Sequence, residues 1–182
     1  MRPYILSRRA ALGGCLLALT STAHAQTGER FLIAETPPNP EGDVLEVAAA
    51  AGQFTQFLAA AERAGYAETL HGPGPFTIFA PTDEAFRRMD RRERERLMRP
   101  AQHEELLALL AYHVVPGRMT TANLRGRVSR HEAASGYRVT LDARDGLRIN
   151  DQLVVMPDID ASNGVLQGIN TVLSPPVLVA SG

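Results

Sequence analysis

The stretch "TIFAPTDEAF", residues 77–86, decides the fold because it joins a predicted strand to a predicted helix at a polar corner. The apolar residues before Pro81 predict a strand, which Pro81 ends because its nitrogen has no hydrogen to donate to a neighbouring strand. Thr82 is a typical helix N-cap, and Asp83 suits the positive end of a helix dipole. Many α/β enzymes hold a nucleophile or a phosphate at such a corner. The first question is therefore whether this corner is a functional site or only a junction.

Helical patterns lie on both sides of this corner. Asp43 and Glu46 have the D-x-x-E spacing of a capping box and predict a helix start. An apolar stripe begins at Phe54 and repeats at positions i+3, i+4 and i+7, which predicts a second helix that Gly65 ends. Asp90 and Glu93 have the same D-x-x-E spacing and predict another capped helix.

The later part of the chain changes from helical to stranded patterns. Residues 101–115 predict a helix whose buried face holds three leucines, Leu106, Leu107 and Leu110. From about residue 125, short alternating runs are separated by turn signals, namely Asp145-Gly146, Asn150-Asp151 and Asn163-Gly164. Pro175-Pro176 is predicted to close the last strand. Helices that come first and antiparallel strands that come second predict an α+β fold.

Length and charge limit the possible functions. The chain has 182 residues, enough for one domain with a substantial core, and a formal net charge of −1. Without residues 1–25, which contain three arginines and no acidic residue, the net charge becomes −4. This balance argues against a protein that binds nucleic acid. The sequence contains no G-x-S-x-G, Walker or H-E-x-x-H motif. We therefore predict no enzyme activity, no catalytic residues and no cofactor.

Residues 1–25 have the features of a cleaved export signal. Arginines precede an apolar run of eleven residues, 10–20, which is too short to span a membrane. Ala23-His24-Ala25 then fits a signal-peptidase site. The pair Arg8-Arg9 partly matches a twin-arginine signal, so Sec and twin-arginine export both stay open. A lipid anchor on Cys15, the single cysteine, is the less favoured alternative because the apolar run lies mostly after it.

The rest of the chain divides into three predicted parts. Residues 26–40 show no periodic pattern and predict a flexible lead. Residues 41–178 predict one domain, and residues 179–182 predict a tail. No transmembrane span is predicted. We therefore expect a periplasmic or extracellular location.

Three other patterns only partly match known binding sites. His103 and His113 are ten residues apart, so on one helix they point in different directions and predict no metal site. Residues 158–164, "DIDASNG", begin like a calcium loop but lack its Gly and its bidentate Glu. Residues 87–99 contain seven arginines interleaved with three acidic residues, which favours a solvated helix face. A local contact of these arginines with an anionic glycan or lipid headgroup stays open.

Three separated blocks together resemble the fasciclin domain family: "TIFAPTDEAF" (77–86), "LLAYHVVPG" (109–117) and "DIDASNGVLQGINTVLSPP" (158–176). Their order and spacing agree with that family over about residues 41–178. The resemblance implies a compact wedge of short, mostly antiparallel β-strands with a group of helices packed at one side. It also implies that the opening corner is a structural motif, with Phe79 and Phe86 buried and Thr82 holding the helix start. The motif residues are Thr77, Phe79, Pro81, Thr82, Phe86, Asn163 and Gly164.

The resemblance further implies an adhesion function with two candidate contact pairs. Animal matrix members have a Tyr-His pair and an Asp-Ile pair that are proposed integrin contacts. The matching residues here are Tyr112-His113 and Asp158-Ile159. Alternatively, Tyr112 and Ile159 are core residues, and His113 satisfies backbone groups. The family usually has His where this chain has Gln167, so a function that needs that imidazole is not expected.

Three functions follow from these observations. The first is an exported adhesion or binding module that contacts a cell-surface, envelope or matrix protein or carbohydrate. The second is an envelope structural or stress-related protein without a high-affinity partner, for which self-association is possible. The third and least favoured is a small-ligand carrier.

Overall fold

The computed structural model describes residues 42–176. Its helices are α1 (Val44–Ala51), α2 (Thr55–Arg63), α3 (Ala67–Leu70), α4 (Asp83–Arg88), α5 (Arg91–Leu97), α6 (His103–Tyr112) and α7 (Thr121–Leu124). Its strands are β1 (Phe76–Pro81), β2 (Val114–Pro116), β3 (Val128–Glu132), β4 (Arg138–Asp142), β5 (Arg148–Ile149), β6 (Gln152–Ala161) and β7 (Gly164–Ile169). The predicted signal (1–25), lead (26–40) and tail (179–182) lie outside the described residues. The predicted α+β class is confirmed, with most of the helices in the N-terminal half.

The strands form a seven-stranded sheet in the order β2-β1-β7-β6-β5-β4-β3. All neighbouring strands are antiparallel except β1 and β7, which pair in parallel along six residues. The two ends of this order meet at one backbone hydrogen bond, because Ala134 N–H donates to the Val114 carbonyl oxygen at 2.8 Å. The sheet therefore curls back on itself and encloses apolar side chains.

Two apolar cores lie on opposite faces of β1. Ile78 belongs to a helical core in which α1, α2 and α6 pack against the sheet, and Phe57 and Leu110 are among its residues. Phe79 belongs to a sheet core inside the curled strands, together with Leu141 and others. Successive side chains of a strand point to opposite faces, so one short strand serves both cores. This is why the corner stretch decides the fold.

The predicted helix caps are present. Asp43 and Glu46 form the complete capping box of α1. The Asp90 carboxylate accepts from Arg92 N and Glu93 N and caps α5. The reciprocal half of this second box is absent from the described contacts, because the Glu93 carboxylate pairs with Arg96 instead. These local hydrogen bonds fix where each helix begins.

Two element boundaries differ from the sequence prediction. The helix predicted over residues 101–115 ends at Tyr112, and Val114–Pro116 is strand β2, which pairs with β1. A β-branched pair beside an open sheet edge favours the extended conformation over one more helical turn. The last strand ends at Ile169 rather than at Pro175-Pro176. Residues 170–176 instead run past the sheet core, where Leu173 is buried.

Candidate functional site

The corner at residues 77–86 is a junction between the two cores. Phe79 and Phe86 are buried, and the Thr82 hydroxyl accepts from Ala85 N–H at 3.3 Å and caps α4. The Asp83 carboxylate accepts from Thr55 Oγ1 and from Gln56 N–H, both at 2.8 Å. It thus caps α2, whose own N-cap residue makes no side-chain hydrogen bond. The Thr82 and Asp83 side chains therefore serve helix ends, whereas the buried Thr77 hydroxyl donates to the Gly117 carbonyl oxygen and accepts from Met119 N–H.

The turn at Asn163 and Gly164 ties the helices to the sheet. Asn163 Oδ1 accepts from Val44 N–H at 3.0 Å, and its Nδ2 donates to the carbonyl oxygens of Leu70 and Gly72. A Cβ atom on Gly164 would overlap the carbonyl oxygen of Phe76 on the adjacent strand. The turn therefore requires Asn163 for its hydrogen bonds and Gly164 for the close approach of the neighbouring strand.

Tyr112 lies inside the fold. Its ring is buried in the sheet core and meets Tyr137 edge to face, with ring centroids 6.3 Å apart. Its hydroxyl accepts from Asn150 Nδ2 at 2.8 Å, and Asn150 Oδ1 accepts from Thr140 N–H. The side chain predicted as an adhesion contact thus joins α6 to the β5–β6 turn, and a partner could contact it only after the domain opened.

His113 is also inside the fold, and its ring is fully buried. Its Nδ1 lies 2.7 Å from the Leu109 carbonyl oxygen, and its Nε2 accepts from Leu173 N–H at 3.0 Å. A ring that donates through Nδ1 and accepts through Nε2 is neutral. Burial lowers the pKa of His113 to about 4, although the hydrogen bond to Leu109 opposes this shift. His113 satisfies backbone groups of two segments, one of the alternatives that the sequence left open.

Asp158 lies at an irregularity of β6, where the pairing with β7 shifts register between Met156 and Ile159. Its backbone has a positive φ of 55°, which is uncommon for a residue with a side chain. The carboxylate accepts from Thr121 N–H at 2.9 Å, from the Thr121 hydroxyl and from Gln167 Nε2 at 2.8 Å. The hydrogen bonds of this predicted contact residue are therefore directed into the domain.

Gln167 completes this arrangement from β7. It is fully buried, its Oε1 accepts from Asp158 N–H at 3.0 Å, and its Nε2 also donates to the Met119 carbonyl oxygen at 3.0 Å. A neutral amide supplies both a donor and an acceptor at every pH, which a single imidazole nitrogen does not. The departure from the family pattern at this position thus provides a non-titrating link between β6, β7 and the segment before α7.

The exposed part of this region is the bulge surface, which we define as Pro157, Asp158, Asp160 and Arg118. The Arg118 and Asp160 side chains are 40% and 45% exposed, and they form an ion pair. The Arg118 guanidinium also donates to the carbonyl oxygens of Ala161 and Gly164. Ile159 is half-buried and packs against the helical core. Of the four predicted contact residues, only Asp158 belongs to this surface.

Arg118 and Thr121 are not among the site residues that the sequence predicts. Both follow the Pro116-Gly117 turn, and Thr121 meets Asp158 although 37 residues separate them. The signal that could have indicated Thr121 is the N-cap Thr120, whose hydroxyl accepts from Asn123 N–H at the start of α7. Nothing in the local sequence indicates that the turn brings Arg118 to Asp160.

The arginines of residues 87–99 are largely engaged by acidic side chains. Glu84 pairs with Arg87 and Arg88, and Glu95 pairs with Arg91. Arg96 pairs with both Glu93 and Glu105 and so joins α5 to α6. This pattern favours the solvated helix face that the sequence predicts. Within residues 42–176, no helix is long and apolar enough to cross a membrane.

Comparison with known proteins agrees with this fold. The Fasciclin domain family model matches residues 52–175. "Protein sll1483" of Synechocystis is 34% identical over 92% of this chain and 94% of its own length. "Transforming growth factor-beta-induced protein ig-h3" of Sus scrofa is 36% identical over 75% of this chain, which spans only 20% of that protein.

A solved structure and a cell-surface relative extend the comparison. The FAS1 domain pair of the insect cell adhesion molecule Fasciclin I has a TM-score of 0.60 at 15% identity, covering 75% of this chain and 52% of that one, which shows a shared fold. "Cell surface glycolipoprotein MPB83" of Mycobacterium bovis is 33% identical over 60% of this chain and 47% of its own length. The family is thus present in adhesion and cell-surface proteins. From the family model, the relatives and the fold, we conclude that this chain belongs to the fasciclin domain family.

Proposed function

We propose that the chain is an exported, non-enzymatic binding module that contacts a protein or carbohydrate of a cell surface, envelope or matrix. The observation that carries this proposal is the bulge surface, where an exposed acid and base stand on a backbone fixed by buried hydrogen bonds. The adhesion function named for Fasciclin I and the cell-surface location named for MPB83 support it.

The physical support is the preorganisation of this surface. Asp158 is held by Thr121 and Gln167, so the bulge is fixed before a partner arrives. Binding then orders few additional side chains, which lowers the entropic cost of association. Asp160 and Arg118 have exposed polar atoms that can contact a protein or a glycan. In this proposal Asp158 positions the surface, while Asp160 and Arg118 contact the partner.

The proposal includes export. We propose that residues 1–25 are removed as the signal and that residues 41–178 form the working domain. The match of the family model over residues 52–175 supports a domain within these bounds. Mass spectrometry of the protein recovered from outside the cytoplasm tests the cleavage, which is expected after Ala25.

The test is a binding measurement with matched variants. The labelled, purified protein is titrated onto whole cells, isolated envelope, extracellular polysaccharide and matrix proteins. We expect saturable binding that Asp160→Ala and Arg118→Ala each weaken by about tenfold, the size of one lost polar contact to a charged group. Arg91→Ala removes an exposed arginine from α5 and is the matched control, which should bind like the unchanged protein.

Two outcomes would reject the proposal. Binding that never saturates on any of these materials would exclude a specific module. Saturable binding that is unchanged by Asp160→Ala and Arg118→Ala would place the contact elsewhere. If Arg91→Ala weakens binding instead, the arginines of α4 and α5 are the contact.

A further inference from the structure

The outer face of strands β3 to β6 carries the exposed apolar side chains. Among residues 42–176, the large apolar residues that are exposed are Val128 (51%), Leu153 (38%) and Val155 (43%). Leu153 and Val155 flank Val154, which is buried in the sheet core, so they point outward. Exposed apolar groups that share one face of a sheet indicate a contact surface more strongly than scattered ones.

The strand register arranges four outer residues in one row. Val128 is opposite Asp142, Asp142 is opposite Arg148, and Arg148 is opposite Leu153. Neighbouring strands lie about 4.8 Å apart, so the row spans about 14 Å. Across the sheet the row is apolar, acidic, basic and apolar. If an identical row faces this one in the reversed order, each charged residue meets a residue of opposite charge and each apolar residue meets an apolar residue.

We propose that this face, which we call the outer row, is a contact surface between two copies of the chain. A two-fold axis that runs along the strands, between β4 and β5, places Val128 against the partner's Leu153. It also places Asp142 against the partner's Arg148. Such a contact is isologous, since the same patch is used on both copies. This self-association is separate from the partner contact proposed for the bulge surface.

The charges of the outer row select this axis. An axis along the row itself would place Asp142 against the same residue of the second copy, and like charges in contact are unfavourable. One ion pair and one hydrogen bond hold the charged groups in place, because Arg144 Nη2 lies 2.6 Å from Asp142 Oδ2 and Arg148 Nη1 donates to the Asp151 backbone carbonyl oxygen. Charge complementarity therefore supports a second copy as the occupant.

The experiment is sedimentation equilibrium of the purified protein from about 1 μM to about 1 mM. We expect a monomer–dimer equilibrium. Arg148→Glu and Asp142→Arg should each raise the dissociation constant by about tenfold or more, because each places like charges across the two-fold axis. The double variant Asp142→Arg with Arg148→Glu restores opposite charges and should return the constant to within about threefold of the original.

Two controls separate this contact from other effects. Arg91→Glu changes an exposed arginine on α5, far along the chain from the outer row, and should leave the constant unchanged. Leu153→Ser removes the apolar end and should raise the constant several-fold. A protein that stays monomeric throughout the concentration range would overturn the proposal. So would a double variant that fails to recover dimerisation while its far-ultraviolet circular dichroism matches that of the original.

Discussion

Two buried polar side chains, His113 and Gln167, each hold one part of this domain in a similar way. Both are fully buried, and each hydrogen-bonds to backbone groups of a distant segment. His113 joins the end of α6 to residue 173, whereas Gln167 joins β7 to the bulge and to residue 119. The difference is that imidazole titrates near neutral pH and an amide does not. One region of the fold should therefore be acid-sensitive, and the other should not.

The largest expected effect is that of His113→Ala. The substitution leaves a cavity and removes the partners of the Leu109 carbonyl and the Leu173 N–H, which are both buried. Loss of packing and of buried hydrogen bonds should lower the free energy of unfolding by about 3–5 kcal/mol. Urea denaturation followed by circular dichroism measures this change. A loss below about 1 kcal/mol would show that water replaces both hydrogen bonds and that the region is not locked by His113.

The second largest effect is expected from acid, which should lower the free energy of unfolding through His113. Burial lowers the pKa of His113 in the folded state to about 4, below its ordinary value of 6.5. The unfolded chain therefore binds this proton first, so the stability from His113 is complete above pH 6.5 and is lost as the pH falls toward 4. The loss should reach about 3 kcal/mol by linkage. His113→Gln should flatten stability over this range, and an unchanged slope in that variant would assign the acid sensitivity to another group.

Gln167→Met tests the non-titrating region. Methionine keeps most of the volume but leaves Asp158 N–H and the Met119 carbonyl without their side-chain partner. The expected loss is about 1–3 kcal/mol, and it should be the same at pH 5 and at pH 7. Denaturation at both values measures it. A loss that differs between these two pH values would contradict the non-titrating role assigned to Gln167.

The sequence predicts the local contacts of this fold but not the contacts between segments that are far apart in the chain. Asp43, Thr82 and Asp90 were predictable as caps because each bonds to residues two or three positions along the chain. The parallel pairing of β1 with β7 was not predictable, since no local pattern joins strands that are far apart in sequence. Residues 114–115 of strand β2 are predicted as helix because neither Gly nor Pro interrupts the chain between Tyr112 and Pro116.

The candidate site shows the same limit. The resemblance to fasciclin domains selected Tyr112, His113, Asp158 and Ile159 by position, but their exposure depends on the three-dimensional contacts. The Asp158 carboxylate already accepts hydrogen bonds from Thr121 and Gln167, which lie on two other segments. His113 is covered by the chain around Leu173, a segment that the sequence pattern predicts to be a strand. A sequence motif thus locates a region more reliably than it identifies which atoms face solvent.

Thr82→Ala should have a smaller effect than either buried link, because Thr82 makes a local hydrogen bond. Its hydroxyl accepts from Ala85 N–H only three residues away, at 3.3 Å. Loss of an N-cap of this kind lowers the free energy of unfolding by about 1 kcal/mol. Thermal unfolding against the original protein measures it. Thr120→Ala, which removes the equivalent hydroxyl from α7, is a matched comparison. An unchanged melting temperature for Thr82→Ala would exclude the capping role.

The smallest effect belongs to His71, an exposed histidine that shows the opposite behaviour to His113. Its Nδ1 lies 2.5 Å from Asp43 Oδ2, and this hydrogen bond with the nearby negative charge raises the pKa of His71. The stability from this pair is therefore complete below pH 6.5 and is lost as the pH rises through the raised pKa. Proton NMR of the His71 ring should give a midpoint above 6.5, and Asp43→Asn should bring it back toward that value. If both midpoints coincide, the ion pair does not form in solution, and the acid response of the domain comes from His113 without opposition from His71.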